Sequence, residues 1–135
     1  MLQRAIYISD AVGTAGASLL SIAQILGVSD VNNRRDHLTG VLIVHRGQFM
    51  QVIEGGRADV ERLIRRLGDD PRHTNLRFLT NSPTEARRFG VRPMAQVAVM
   101  GELAQLIGGR ALDSLTRAEV DALFHAAVAR DNLAA

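Results

Sequence analysis

The apolar residues of this chain switch between a period of two and a period near 3.6, and that switching predicts an α+β fold. Three observations carry the prediction. Leu38–Val44 and Gln48–Glu54 are strand-like stretches flanking Arg46-Gly47, a hairpin signature. Val60, Leu63, Ile64 and Leu67 recur at i, i+3, i+4 and i+7, the stripe of an amphipathic helix. The whole order reads strand, helix, strand, strand, helix, strand, followed by one further strand. That is a ferredoxin-like βαββαβ sandwich with an extra fifth strand, two helices on one sheet face, and two C-terminal helices beyond it.

Each element has its own justification. Gln3–Ser9 reads as a strand with Ala5, Tyr7 and Ser9 on one face and Ile6 and Ile8 on the other. Ala15–Leu26 reads as a helix whose Leu19, Ile22, Ala23, Ile25 and Leu26 crowd one side, stopped by Gly27. Ser29–His37 is a polar loop containing Asn32-Asn33, and the hairpin follows it. The helix Arg57–Leu67 ends at Asp69-Asp70-Pro71. Leu76–Thr80 and Arg88–Val97 are expected as strands, with Pro93 pushing the second toward a sheet edge or a break. Gly101–Ile107 is a short helix candidate, and Thr116-x-x-Glu119 is a capping box opening a last helix. That helix carries an apolar stripe of Val120, Leu123, Phe124, Ala127 and Val128, which must be buried against the back of the sheet or a second subunit. The expected division is a domain at 1–98 and a helical extension at 99–135, in one globular unit.

Composition narrows the functional classes. At 135 residues, 47% hydrophobic and 22% charged, the chain suits one globular domain. No apolar run is long enough to span a bilayer, and the N-terminus MLQRAIYISD enters a strand pattern without signal-peptide features. Cysteine is absent, which excludes disulfides and thiolate chemistry and makes the cytoplasm the expected location. All 16 basic residues are arginine, scattered along the chain at a net charge of +2, which argues against nucleic-acid binding. His37, His45, His73 and His125 have no metal-ligand spacing, so no metal site is expected.

One polar residue stands out. In Gln48–Glu54, alternation puts Phe49, Gln51 and Ile53 on one face and Met50, Val52 and Glu54 on the other. Gln51 thus lies between apolar neighbours, where a carboxamide needs partners for two N–H donors and a carbonyl. An unmet group there costs about 1–3 kcal/mol. Either protein groups satisfy it or a polar ligand does. Parity allows Tyr7, the only tyrosine, to face the same side.

Several features now share one order and spacing. They are Tyr7 and Ser9, Asn32-Asn33 before Leu38-Thr39-Gly40, the strand Phe49-Met50-Gln51-Val52-Ile53-Glu54-Gly55, Asp70-Pro71-Arg72-His73, and Arg88-Phe89 with Met94. From about Leu2 to Val97 this pattern resembles the BLUF domain, a family of blue-light sensors using FAD. The resemblance implies FAD as cofactor and a photoreceptor rather than an enzyme. Tyr7 matches the electron and proton donor, and Gln51 the glutamine between it and the flavin. Asn33, with Asn32 beside it, matches the asparagine at the ring edge. Ile25 and Phe49 are further cofactor-binding positions that the resemblance implies. Arg66 matches a basic residue near the ribose or phosphate portion. Asp70, Arg72 and His73 belong to the D-x-R-H motif near the cofactor, and Met94 to the last strand near the glutamine. Two positions depart from the family pattern: Arg92 stands where a tryptophan is common, and Val31 where an arginine is expected.

The implied output is a hydrogen-bond rearrangement of Gln51, passed on by the last strand and the tail. No effector domain is recognisable, so signalling to an effector protein in trans is expected, with a homo-oligomer formed through the sheet's back face or the tail helices. Two other readings fit the topology. One is an acylphosphatase-like hydrolase, which needs an anion-binding arginine loop that Asp10-Ala11-Val12-Gly13-Thr14 does not supply. The other is a binding or oligomerisation module without cofactor, against which Tyr7, Asn33 and Gln51 argue.

Overall fold

A computed structural model of the chain describes residues 2–12, 37–71, 73–89 and 95–134. Its strands are β1 (Leu2–Ala11), β2 (Thr39–His45), β3 (Gln48–Gly56), β4 (His73–Thr84) and β5 (Ala95–Gln96). Its helices are α1 (Arg57–Gly68), α2 (Glu102–Ile107) and α3 (Arg117–Ala134), with a 3-10 turn at Leu112–Ser114 between the last two. The sheet order is β4-β1-β3-β2-β5, the ferredoxin-like order with β5 added beside β2. Every neighbouring pair is antiparallel except β2 and β5. The expected helix Ala15–Leu26, and with it Ile25, lies outside the described residues, as do Asn32, Asn33, Arg72 and Met94.

The hairpin forms where expected. Arg46 and Gly47 take φ of 50° and 73°, the left-handed pair that matches the twist of a two-residue turn. The alternating pattern then divides the core between two faces. On one face Ala5, Tyr7, Leu38 and Ile53 pack against Val60, Leu63 and Leu67 of α1. On the other, Ile6, Ile8, Val41, Ile43, Met50 and Val52 pack against Leu103, Ile107, Leu112, Val120, Leu123, Phe124 and Ala127. The apolar stripe of the last helix therefore covers the back of its own sheet. The capping box closes reciprocally: Thr116 N donates to Glu119 Oε1 at 2.9 Å, and Glu119 N donates to Thr116 Oγ1 at 3.2 Å.

Two strand assignments need correction. β4 runs to Thr84 rather than Thr80, through Asn81 and Pro83. It is an edge strand that bonds only to β1, with register shifts on the way, so polar residues and a proline are tolerated there. The expected strand Arg88–Val97 is reduced to Ala95–Gln96 among the described residues. Arg88 and Phe89 do not join a ladder, because their backbone N–H groups donate to the Glu54 carboxylate instead.

Candidate functional site

The site grows from one cross-strand pair. Tyr7 of β1 stands opposite Gln51 of β3 in the antiparallel register, which puts both side chains on the α1 face. They are 2% and 5% exposed, and the Tyr7 hydroxyl donates to Gln51 Oε1 at 2.5 Å. With its carbonyl oxygen engaged by the phenol, the carboxamide turns its NH2 group the other way as a donor. Burial pushes the Tyr7 phenol above its usual range, and the negative charge of Asp70 pushes it further, so the hydroxyl keeps its proton.

The next pair on the same face is Ser9 with Phe49, both buried. His73, at the start of β4, joins this group to α1. Its Nε2 lies 2.6 Å from the Leu67 carbonyl oxygen, which can only accept, so Nε2 carries the proton. Its Nδ1 lies 2.6 Å from the Ser9 hydroxyl, to which it is hydrogen-bonded. The imidazole stands edge-on to Phe49, centroids 6.1 Å apart, and 6.2 Å from the Tyr7 ring. Both nitrogens of His73 are thus engaged by protein groups, and its ring buttresses the Tyr7–Phe49 floor. Arg66 lies in the last turn of α1, and Asp70 follows its end, its N–H donating to the Leu67 carbonyl at 3.1 Å.

Of the expected site residues, the structure brings together Tyr7, Gln51, Phe49 and His73, with the charge of Asp70 felt at Tyr7. It also brings in a buried acid, Glu54, for which strand alternation implies a face but no role. Glu54 is 0% exposed on the back face, bonded to Arg4 and to the backbone of Arg88 and Phe89. The signal was present: Glu54 interrupts the Met50/Val52 face as Gln51 interrupts the other. Among the described residues, no group of three or more His, Cys, Asp or Glu could hold a metal ion, and no helix is long and apolar enough to cross a membrane.

Fold and site together define an α+β domain with a sheet covered on both faces, in which a phenol–carboxamide pair is buried on the α1 side. The chain belongs to the BLUF family, sensors of blue light using FAD, whose family model matches residues 2–95. It is 30% identical over 89 residues to photoactivated adenylate cyclase subunit beta of Euglena gracilis, covering 66% of this chain and 10% of that protein. It is 32% identical over 69 residues to the blue light- and temperature-regulated antirepressor BluF of Escherichia coli (strain K12), covering 51% of this chain and 17% of that one. The chain thus spans about a tenth of the Euglena protein's length. The dark-state structure of BlrB, a BLUF protein, superposes with a TM-score of 0.80 at 31% identity, covering 96% of each chain.

The residues present fit the family's flavin. Its ring edge alternates carbonyl oxygens with ring nitrogens, and the Gln51 NH2 supplies a donor of the required kind beside a proton-bearing phenol.

Proposed function

We propose that this chain is a blue-light photoreceptor in which Tyr7 and Gln51 are the photoactive pair. The observation that carries the reading is the buried 2.5 Å hydrogen bond from the Tyr7 hydroxyl to Gln51 Oε1. When bound, FAD supplies the blue-light absorption and, once excited, the electron vacancy that Tyr7 fills. Gln51 would hold the ring edge together with Asn33 and Asn32, Ile25 and Phe49 would meet the ring faces, and Arg66, Asp70 and Arg72 would lie toward the rest of the cofactor. Met94 would sit near Gln51. His73 serves the site indirectly, by fixing Ser9 and the end of α1.

The chain's own chemistry is then short. Burial keeps water from the Tyr7–Gln51 bond, and the raised pKa keeps the proton on Tyr7 in the dark. Loss of an electron makes the phenol a strong acid, and its proton moves to Gln51 Oε1 along the existing bond. On recombination the electron returns to the Tyr7 radical and one proton returns to its oxygen, leaving the carboxamide rotated, tautomerised or both, so that it would present a changed donor to the ring edge and redden the absorption. One rearranged hydrogen bond is worth about 0.5–1.5 kcal/mol, so the output is a population shift of up to about tenfold.

The chain acts as a sensor rather than an enzyme and signals to an effector in trans. The expected homo-oligomer loses its main sequence argument, because the stripe that called for cover is buried within the chain. The effector would instead read the outer surface of α2 and α3. The proposed compartment is the cytoplasm. A light-minus-dark absorption spectrum of the purified protein tests the reading. A flavin spectrum that shifts to the red under blue light and reverts in the dark is expected; a protein without flavin, or one whose spectrum ignores light, would overturn it.

A further inference from the structure

We propose that Glu54 is the positioning residue through which a rearrangement at Gln51 reaches α3. This rests on the photoreceptor reading and goes beyond it. Glu54 lies three residues along β3 from Gln51, about 10 Å at strand rise, with its side chain on the opposite face. Its carboxylate is fully buried and accepts from Arg4 Nε at 2.8 Å, Arg88 N at 2.8 Å and Phe89 N at 2.5 Å. Its backbone carbonyl accepts from Arg87 Nη1 at 2.8 Å. One residue of the glutamine's strand therefore holds three successive residues, Arg87 to Phe89, beyond the end of β4. Arg4 adds a second strap, from Nη2 to the Ala86 carbonyl at 3.3 Å.

Phe89 carries the connection onward. It is 1% exposed, and its ring centroid lies 5.9 Å from that of Phe124 and 4.9 Å from that of His125, both in α3. β3 is bonded on both sides, to β1 and β2, so it moves as part of the sheet's centre. With Arg4 balancing its charge, a buried Glu54 carboxylate that lost the Arg88 or Phe89 N–H would keep an unsatisfied acceptor in the core, which is costly. The bonds from Arg88 N and Phe89 N thus couple the Arg87–Phe89 segment to Glu54, and the aromatic contact hands its displacement to α3.

The test measures light-dependent hydrogen exchange of α3 amides and the absorption red shift on the same samples. In the wild-type chain the exchange should change by about two- to tenfold on illumination, the range one hydrogen bond can drive. Glu54→Gln keeps the shape but removes the charge. Phe89→Leu leaves Glu54 intact and removes the ring contact. Each should retain a full-sized red shift and lose the α3 response. An unchanged α3 response in either folded variant overturns the proposal, and Phe89→Leu decides it if Glu54→Gln does not fold. A wild-type red shift with a silent α3 also overturns it. Absence of the red shift in the wild type would instead overturn the photoreceptor reading.

Discussion

The Tyr7–Gln51 bond can be measured as an energy without any light. Tyr7→Phe leaves the Gln51 carbonyl without its hydroxyl donor at a position 5% exposed. Gln51→Leu leaves the Tyr7 hydroxyl, on a residue 2% exposed, without its acceptor. Each orphaned group is expected to cost about 1–3 kcal/mol of stability. The double variant replaces both partners with apolar groups of similar shape, which removes the orphan, so it should cost well under the sum of the two. Urea unfolding of the four proteins in the dark gives the comparison, with midpoints shifting at constant slope. The interaction energy should be at least about 1 kcal/mol. Costs that add to within about 0.5 kcal/mol would refute the bond as a stabilising element of the site.

Two further outcomes follow from particular contacts. Hydrogen bonds from Arg110 and from Thr116 N hold the Glu119 carboxyl at about 2, below its ordinary 4.5. A carboxyl depressed by folding adds stability above pH 4.5 and loses it as the pH falls toward 2, so the first turn of α3 should loosen across that window. Amide exchange at that turn followed against pH checks this, and Glu119→Gln should remove the pH dependence. A Cβ on Gly55 would stand 2.5 Å from Leu38 Cδ2, and Leu38 is 1% exposed with little room to yield. Gly55→Ala should therefore lower stability by about 1–3 kcal/mol in urea unfolding, and Leu38→Val in the same chain should restore part of it.

The alternation of β3 singles out Gln51, and that of β1 offers it Tyr7 as a partner. Period-two parity sets Gln51 between Phe49 and Ile53 and allows Tyr7 of β1 to share that face; only the register makes the two direct partners. The same parity marked Glu54, but a carboxylate at a strand end reads as solvated until its partners are known. Those partners, Arg88 and Phe89, sat in an apolar stretch that resembled a strand, because sequence cannot show that an N–H will bond to a side chain rather than a ladder. The end of β4 is hidden for a related reason: Asn81-Ser82-Pro83 has turn chemistry, and only its edge position makes it strand. The tail stripe announced burial without naming its cover, since the sheet's back face and a second copy offer the same apolar surface. Ile25, Asn32, Asn33, Arg72 and Met94 rest on the family pattern, being outside the described residues.

The most direct test of the central claim compares blue-light difference spectra of the wild-type protein and Tyr7→Phe, both loaded with flavin. The wild type should give a reversible red-shifted product, and the variant, which lacks the phenolic proton aimed at Gln51, should give none. A Tyr7→Phe protein that forms the same product at the same yield would contradict the account.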